Sequence, residues 1–239
     1  MRPPWGMGVV IPARDESRSI EDCVLSVRRA LARERLDAWL VVVADRCRDD
    51  TAARARRALG GCGEVVVSRW GMVGAARQLG CRRVLQRFAH RPLERVWLLA
   101  TDADSMVPCD WIRAHRDAAD LGAHAVAGTV RVRSFSTRAA RLRDRYESAY
   151  ARGSDGHVPH VHGANFGVRA DAFSGVGGWS RYATGEDRDL WLRLVEAGYR
   201  VVPSNRAPVW TSARRRGRAP DGFASYLNRL EAGLDLTRS

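Results

Sequence analysis

Residues 95–108 read Arg-Val-Trp-Leu-Leu-Ala-Thr-Asp-Ala-Asp-Ser-Met-Val-Pro. The apolar run Val96–Ala100 stops at two carboxylates, Asp102 and Asp104, and Pro108 bars its continuation. A short apolar run bounded in this way predicts a buried strand of a parallel sheet. In open α/β sheets ligands bind just beyond the carboxyl ends of the strands. Two carboxylates one residue apart at such an end repel each other unless a cation lies between them. Asp102 and Asp104 are therefore candidate ligands for a divalent metal or a metal-bound phosphate. Asp is also common in turns, so the pair alone does not decide the matter.

Upstream, the same unit recurs. Gly8–Pro12 is a β-branched run closed by the charged loop Arg14, Asp15, Glu16. Ser19-Ile-Glu-Asp22 then resembles a capping box, and Ile20, Val24, Val27 and Leu31 follow at helical spacing. Trp39–Ala44 predicts a second strand, ending at Asp45 and followed by an Ala/Arg helix; Glu64–Ser68 predicts a third, with a helix through Ala75, Leu79 and Val84 after it. Strands alternating with helices of this length mean βαβ units and a mainly parallel, Rossmann-like sheet flanked by helices. Beyond Pro108 the rhythm loosens. Helices are expected over 110–121, 137–152, 186–197 and 223–234, with strands over 125–132, 164–168 and 199–202. No linker divides the chain, so 1–239 is expected to be a single domain, with 1–104 and 105–239 as its two halves.

The 239 residues suffice for a sizeable core. The net charge is +13, and all 40 basic residues are Arg. Such a surface attracts anions, among them nucleotide phosphates, acidic lipid and nucleic acid. No apolar run approaches the roughly 18 residues of a membrane span, and the first residues lack the apolar segment of a signal peptide. The expectation is a cytoplasmic protein, with peripheral membrane contact compatible. The five Cys are scattered and odd in number, which suggests free thiols.

The loops Arg14–Glu16, Asp45–Thr51, Met72–Arg77 and Asp102–Asp104 all leave the carboxyl ends of strands and so open on one edge. They offer carboxylates to base and ribose, Arg77 to phosphate, and a metal-binding pair: the needs of a nucleoside diphosphate bound with a cation. A Walker-type loop is impossible without Lys, and no Gly-x-Gly-x-x-Gly follows the first strand.

In order, Val10-Ile-Pro-Ala-Arg-Asp-Glu16, Val43-Ala-Asp45, Gly74-Ala-Ala-Arg77, Asp102-Ala-Asp104 and Gly185-Glu-Asp187 resemble the landmarks of a GT-A-fold glycosyltransferase of family 2. The resemblance spans nearly the whole chain. It implies a nucleotide-sugar donor, Mg²⁺ or Mn²⁺, and inversion at the anomeric carbon. By this resemblance Pro12, Ala13, Arg14 and Glu16 would line the nucleoside, Asp45 would meet the base, and Arg77 would face the diphosphate. Asp102 would touch ribose or metal, and Asp104 would be the direct metal ligand. Two departures stand out: Ala44-Asp45 carries one acid where the family often has two, and Gln78 follows Arg77 where Asn is frequent.

Asp187 is the candidate base. It opens a predicted helix, where the dipole favours a carboxylate, and a base must take a proton from an acceptor hydroxyl. Capping is the competing role for Glu186 and Asp187. On the acceptor side the resemblance adds His162, Gly163, Asn165 and Glu186, with Trp179 shaping the pocket. Arg214, Arg215, Arg216 and Arg218 either fold over the phosphates as a lid or form a solvated basic loop; Thr211-Ser-Ala-Arg214, with Gly217-Arg218 and Gly222-Phe223 behind it, resembles the tail of some bacterial members of the family, which favours the lid. His157 and His160 read as loop residues. The acceptor, whether metabolite, glycan or lipid, is not encoded legibly. A sugar-nucleotide nucleotidyltransferase is the first alternative, although the loop after the first strand lacks its Gly-rich character. A basic nucleic-acid-binding protein is the second, although no recognised module is present.

Overall fold

Why one sheet can be buried on both faces is visible in alternate residues of its strands. The computed structural model describes residues 4–136, 138–152, 161–217 and 222–233. The first half runs β1 (Gly6–Ala13), α1 (Ile20–Ala32), β2 (Asp37–Asp45), α2 (Thr51–Leu59), β3 (Gly63–Ser68), α3 (Val73–Arg87) and β4 (Val96–Ala100). The second runs α4 (Trp111–Asp120), β5 (Ala125–Val132), α5 (Leu142–Arg152), β6 (Phe166–Arg169), α6 (Ala170–Gly175), α7 (Glu186–Glu196), β7 (Val201–Thr211) and α8 (Phe223–Ala232). Val9, Ile11, Leu40, Val42, Trp97 and Leu99 pack on one layer with Ile20, Val24 and Val27 of α1. Their neighbours Val10, Val41, Val43 and Leu98 pack on the other with Ala76 and Val84 of α3 and Leu190 and Leu194 of α7. Each fully buried Val or Leu contributes about 1.5–3 kcal/mol of burial.

The seven strands lie in the order β3-β2-β1-β4-β6-β5-β7. The β3/β2, β2/β1, β1/β4 and β5/β7 pairs are parallel, and β6 runs antiparallel to both its neighbours. The expected α/β fold is therefore present, and one sheet spans both halves. A third cluster, built from Val132, Leu142, Tyr146, Ala213, Leu227 and Leu230, joins α5 and α8 below the end of β5.

Three expectations need correction. The last strand is much longer than 199–202: β7 reaches Thr211 and carries Pro203 and Pro208. It forms the edge of the sheet, where proline is tolerated because one side of the strand needs no partner. The helix expected over 137–152 is described only from Leu142, and residue 137 lies outside the described residues. The capping box also fails. Ser19 makes no side-chain cap on α1; its hydroxyl donates instead to the Glu16 carboxylate at 3.0 Å.

Candidate active site

The carboxyl ends of β1, β2 and β4 and the amino end of α3 open into one cleft of about 490 Å³. That is the size of a small-molecule site. Pro12, Ala13, Arg14, Glu16, Asp45, Arg77, Asp102 and Asp104 line one side. His162, Gly163, Glu186, Asp187 and Arg214 line the other, with Thr211, Phe223, Tyr226 and Arg229. The chain turns sharply as it leaves β1 and β2: Asp15 and Arg46 both have φ of 52°, the left-handed region that non-glycine residues enter only under tertiary constraint.

Two arginines organise the acids. Arg77, only 3% exposed, pairs with Glu186 through Nη1 and donates from Nη2 to Asp102 Oδ1 at 2.6 Å. Its guanidinium also stands 5.3 Å from the centre of the Trp179 ring. Burial works against its charge, but Glu186, Asp102 and Asp187 outweigh that and raise its pKa. Burial likewise raises the Glu186 carboxyl, with Asp187 adding and Arg77 opposing. Gly163 is required by this packing, since a Cβ there would lie 2.4 Å from the guanidinium carbon. Arg77 therefore ties the acid beyond β4 to the acid at the start of α7.

Arg214 is the second organiser. It pairs with Glu16 and stands 3.3 Å from Asp104 Oδ2. Burial pushes the Asp104 carboxyl up to about 6; Arg214 opposes the shift, while Asp102 and Glu16 add to it. The hydroxyl of Thr211 donates to Asp104 Oδ1 at 3.5 Å. Asp104, with Asp102 and Glu16 beside it, belongs to a cluster of carboxylates that suits a hard divalent cation, and Arg214 supplies the positive charge there. Glu16, Asp102 and Asp104 do not converge within 4.8 Å; among the described residues the group that does is Asp15, Cys47 and Asp49. In that group Asp15 accepts the Arg48 N–H at 2.7 Å, and Asp49 accepts from Ser17 and Thr51, as turn carboxylates do.

Asp187 is oriented by backbone. Its Oδ2 accepts the Gly163 N–H and its Oδ1 the Arg188 N–H, both at 2.8 Å. Asp45, 4% exposed, has Oδ1 held by the Ser68 hydroxyl at 2.8 Å. All five cysteines are free; burial pushes the Cys81 thiol up to about 12, and Cys23 is raised for the same reason. Neither buried thiol is poised as a nucleophile.

Four expected site residues, Asn165, Trp179, Arg215 and Arg216, do not line the cleft. Asn165 is 1% exposed and saturated: Oδ1 accepts from Trp111 and faces His115, and Nδ2 donates to the carbonyls of Thr129 and Ala207. Trp179 is buried against Phe166 and Arg77. Arg215 reaches away to Glu231 at 3.1 Å. His157, His160 and Arg218 lie outside the described residues. The sequence reading missed Tyr226 and Arg229. Phe223 and Tyr226 are three apart on α8, so their shared face was readable. That it turns toward the cleft was not.

The family model described as glycosyltransferase like family 2 matches residues 3–232. No curated protein matches the chain significantly. Among solved structures, a mannosyltransferase from Pyrobaculum calidifontis in complex with GDP-Man and Mn²⁺ superposes with a TM-score of 0.68 at 20% identity, over 97% of this chain and 70% of that one. S. aureus TarS 1–349 with UDP-GlcNAc gives 0.62 at 12% identity, over 95% and 65%. M. tuberculosis glucosyl-3-phosphoglycerate synthase gives 0.56 at 16% identity, over 98% and 82%. At these identities the superpositions establish the fold.

Proposed function

The chain belongs to glycosyltransferase-like family 2, and from that premise we propose that it transfers a sugar from a nucleotide-sugar donor to an acceptor hydroxyl, with inversion and with Mg²⁺ or Mn²⁺ as cofactor. The observation that carries this reading is the cleft itself: one opening gathers the carboxylates beyond β1, β2 and β4, two arginines, and a backbone-oriented Asp187. The first half would hold the donor. Asp45, with one oxygen on Ser68, would accept an N–H of the base through the other. Pro12, Ala13, Arg14 and Glu16 would line the nucleoside. Asp104, with Asp102, would hold the cation, which when bound supplies positive charge for the departing diphosphate. Arg77 and Arg214 are the guanidiniums nearest those acids and would stabilise the same phosphates.

The second half would hold the acceptor, against His162, Gly163 and Glu186. Asp187 takes the proton of the acceptor hydroxyl as its oxygen attacks the anomeric carbon. The bond from that carbon to the diphosphate breaks on the opposite face, and the nucleoside diphosphate leaves with the electron pair. One displacement inverts the centre. Among the described residues no helix is long and apolar enough to cross a membrane.

The test is calorimetric titration of nucleoside diphosphates and nucleotide sugars into the protein with and without Mn²⁺. We expect one base to bind with Mn²⁺ and to weaken at least roughly tenfold under chelation. Absence of binding across the panel, or pyrophosphate release from a nucleoside triphosphate and a sugar phosphate, would overturn the proposal.

A further inference from the structure

The backbone beneath Arg214 is clamped. Arg138, 8% exposed, donates from Nε to the carbonyl of Ala213 at 2.7 Å and from Nη2 to that of Arg214 at 2.6 Å. Its Nη1 is held in turn by Asn228 and by Glu231, the latter at 3.0 Å, both on α8. Glu231 also accepts the Ala139 N–H at 2.8 Å, which fixes the segment carrying Arg138. A buried guanidinium fully committed to backbone carbonyls and to a second helix is a built support. What it supports is one cation, Arg214, aimed at Glu16 and Asp104.

Those two acids belong to the donor side of the cleft, so the following rests on the glycosyltransferase reading. We propose that Arg138 is a positioning residue that sets Arg214 as a tethered cation on Glu16 and Asp104, and that a divalent ion reaches Asp104 only together with a nucleoside diphosphate, which takes Arg214 over. Two cations cannot share one carboxylate pair without repulsion. A diphosphate resolves the conflict from both sides. It offers Arg214 a new anion within reach of the same cleft, and it supplies further oxygens to the ion. Ion and nucleotide then favour each other's binding by the same factor, because coupling between two ligands is reciprocal. The arrangement keeps the acids neutralised between turnovers without a resident metal.

Mn²⁺ binding to the full chain, read as loss of the free-ion signal in electron paramagnetic resonance, separates the outcomes. For the wild type we expect weak binding of Mn²⁺ alone, tightened at least roughly tenfold by saturating UDP or GDP. In Arg214→Gln, Mn²⁺ alone should bind roughly tenfold tighter than in wild type, and the nucleotide should add much less. Arg138→Ala should move Mn²⁺ affinity in the same direction. The double variant should gain nothing over Arg214→Gln, which a merely structural role for Arg138 would not produce. If Arg138→Ala does not fold, Arg138→Lys, which keeps the charge but cannot reach both carbonyls, is read in the same way, and Mn²⁺ affinity unchanged from wild type in it overturns the positioning role. Unchanged Mn²⁺ affinity in Arg214→Gln, with diphosphate still bound by wild type, overturns this proposal and leaves the donor reading standing. Failure of wild type to bind either diphosphate with Mn²⁺ overturns both.

Discussion

Asp187 and Glu186 are adjacent, yet their surroundings assign them different work. Asp187 spends one lone pair on each of two backbone N–H groups and faces the cleft, whereas Glu186 is 4% exposed and pairs with Arg77. Substituting Asp187→Asn removes a proton acceptor while keeping the shape. We expect kcat to fall by about 10³-fold, with nucleotide affinity within about threefold in calorimetry; near-wild-type turnover would reject Asp187 as the base. Glu186→Gln instead strips a counter-charge from a buried guanidinium. Removing one partner of a buried ion pair costs up to about 3–5 kcal/mol, less where a second acid such as Asp102 still faces Arg77, whereas an exposed pair such as Arg54–Glu21 is screened by solvent and contributes little. Urea unfolding of Glu186→Gln beside Glu21→Gln should show that contrast, and equal losses would mean that Arg77 does not depend on Glu186 for its charge.

At the scale of elements, α3 carries Arg77 to the cleft by lying unusually close to β1. A Cβ on Gly80 would come within 2.3 Å of Val10 Cγ1, and one on Gly8 within 2.0 Å of Val84 Cγ1. The two glycines thus receive each other's partner valines. In an open helix Gly→Ala gains about 1 kcal/mol from propensity. Here the added methyl meets a stiff, β-branched neighbour, and overpacking costs about 1–3 kcal/mol. Gly80→Ala should therefore destabilise by up to about 2 kcal/mol in denaturant unfolding, and a more stable variant would show that the contact relaxes freely. The βαβ elements of the first half were legible because strand and helix periods were clean and each strand ended in chemistry-bearing residues. Strand β7 was not, because Pro203 and Pro208 look like breaks until its edge position is known. Asn165 shows a second limit. Its neighbours His162 and Gly163 line the cleft, but its own side chain leaves the helical turn over Gly163–Asn165 on the other side, and sequence carries no direction for a side chain on one short turn.

The node that Asn165 forms joins α4 to the 163–165 turn, β5 and β7, so its protonation concerns the whole molecule. Trp111 donates to Asn165 Oδ1 at 2.8 Å, and His115 Nε2 lies 3.2 Å from the same oxygen. Since that oxygen accepts, Nε2 carries the ring proton and Nδ1, which has no partner among the described residues, is the site a second proton would enter. Burial disfavours that charge and lowers the His115 pKa to about 4 from 6.5; the bond to Asn165 opposes the shift. The folded value lies below the unfolded one, so the unfolded chain binds more protons between pH 6.5 and 4. Stability is whole above pH 6.5 and falls through that window by up to about 3 kcal/mol. Asp104 acts in the opposite sense. Its carboxyl, pushed up from 3.8 to about 6, favours the folded state when protonated, so its contribution falls as pH rises from about 4 to 6. The two slopes partly cancel in wild type, and a flat profile there would be uninformative. Replacing His115 by Gln, which can still donate to Asn165, removes one slope and leaves the other. The urea midpoint of His115→Gln should therefore lose less than wild type on going from pH 7 to 4.5, or even rise. Parallel profiles for the two proteins would locate the acid sensitivity elsewhere.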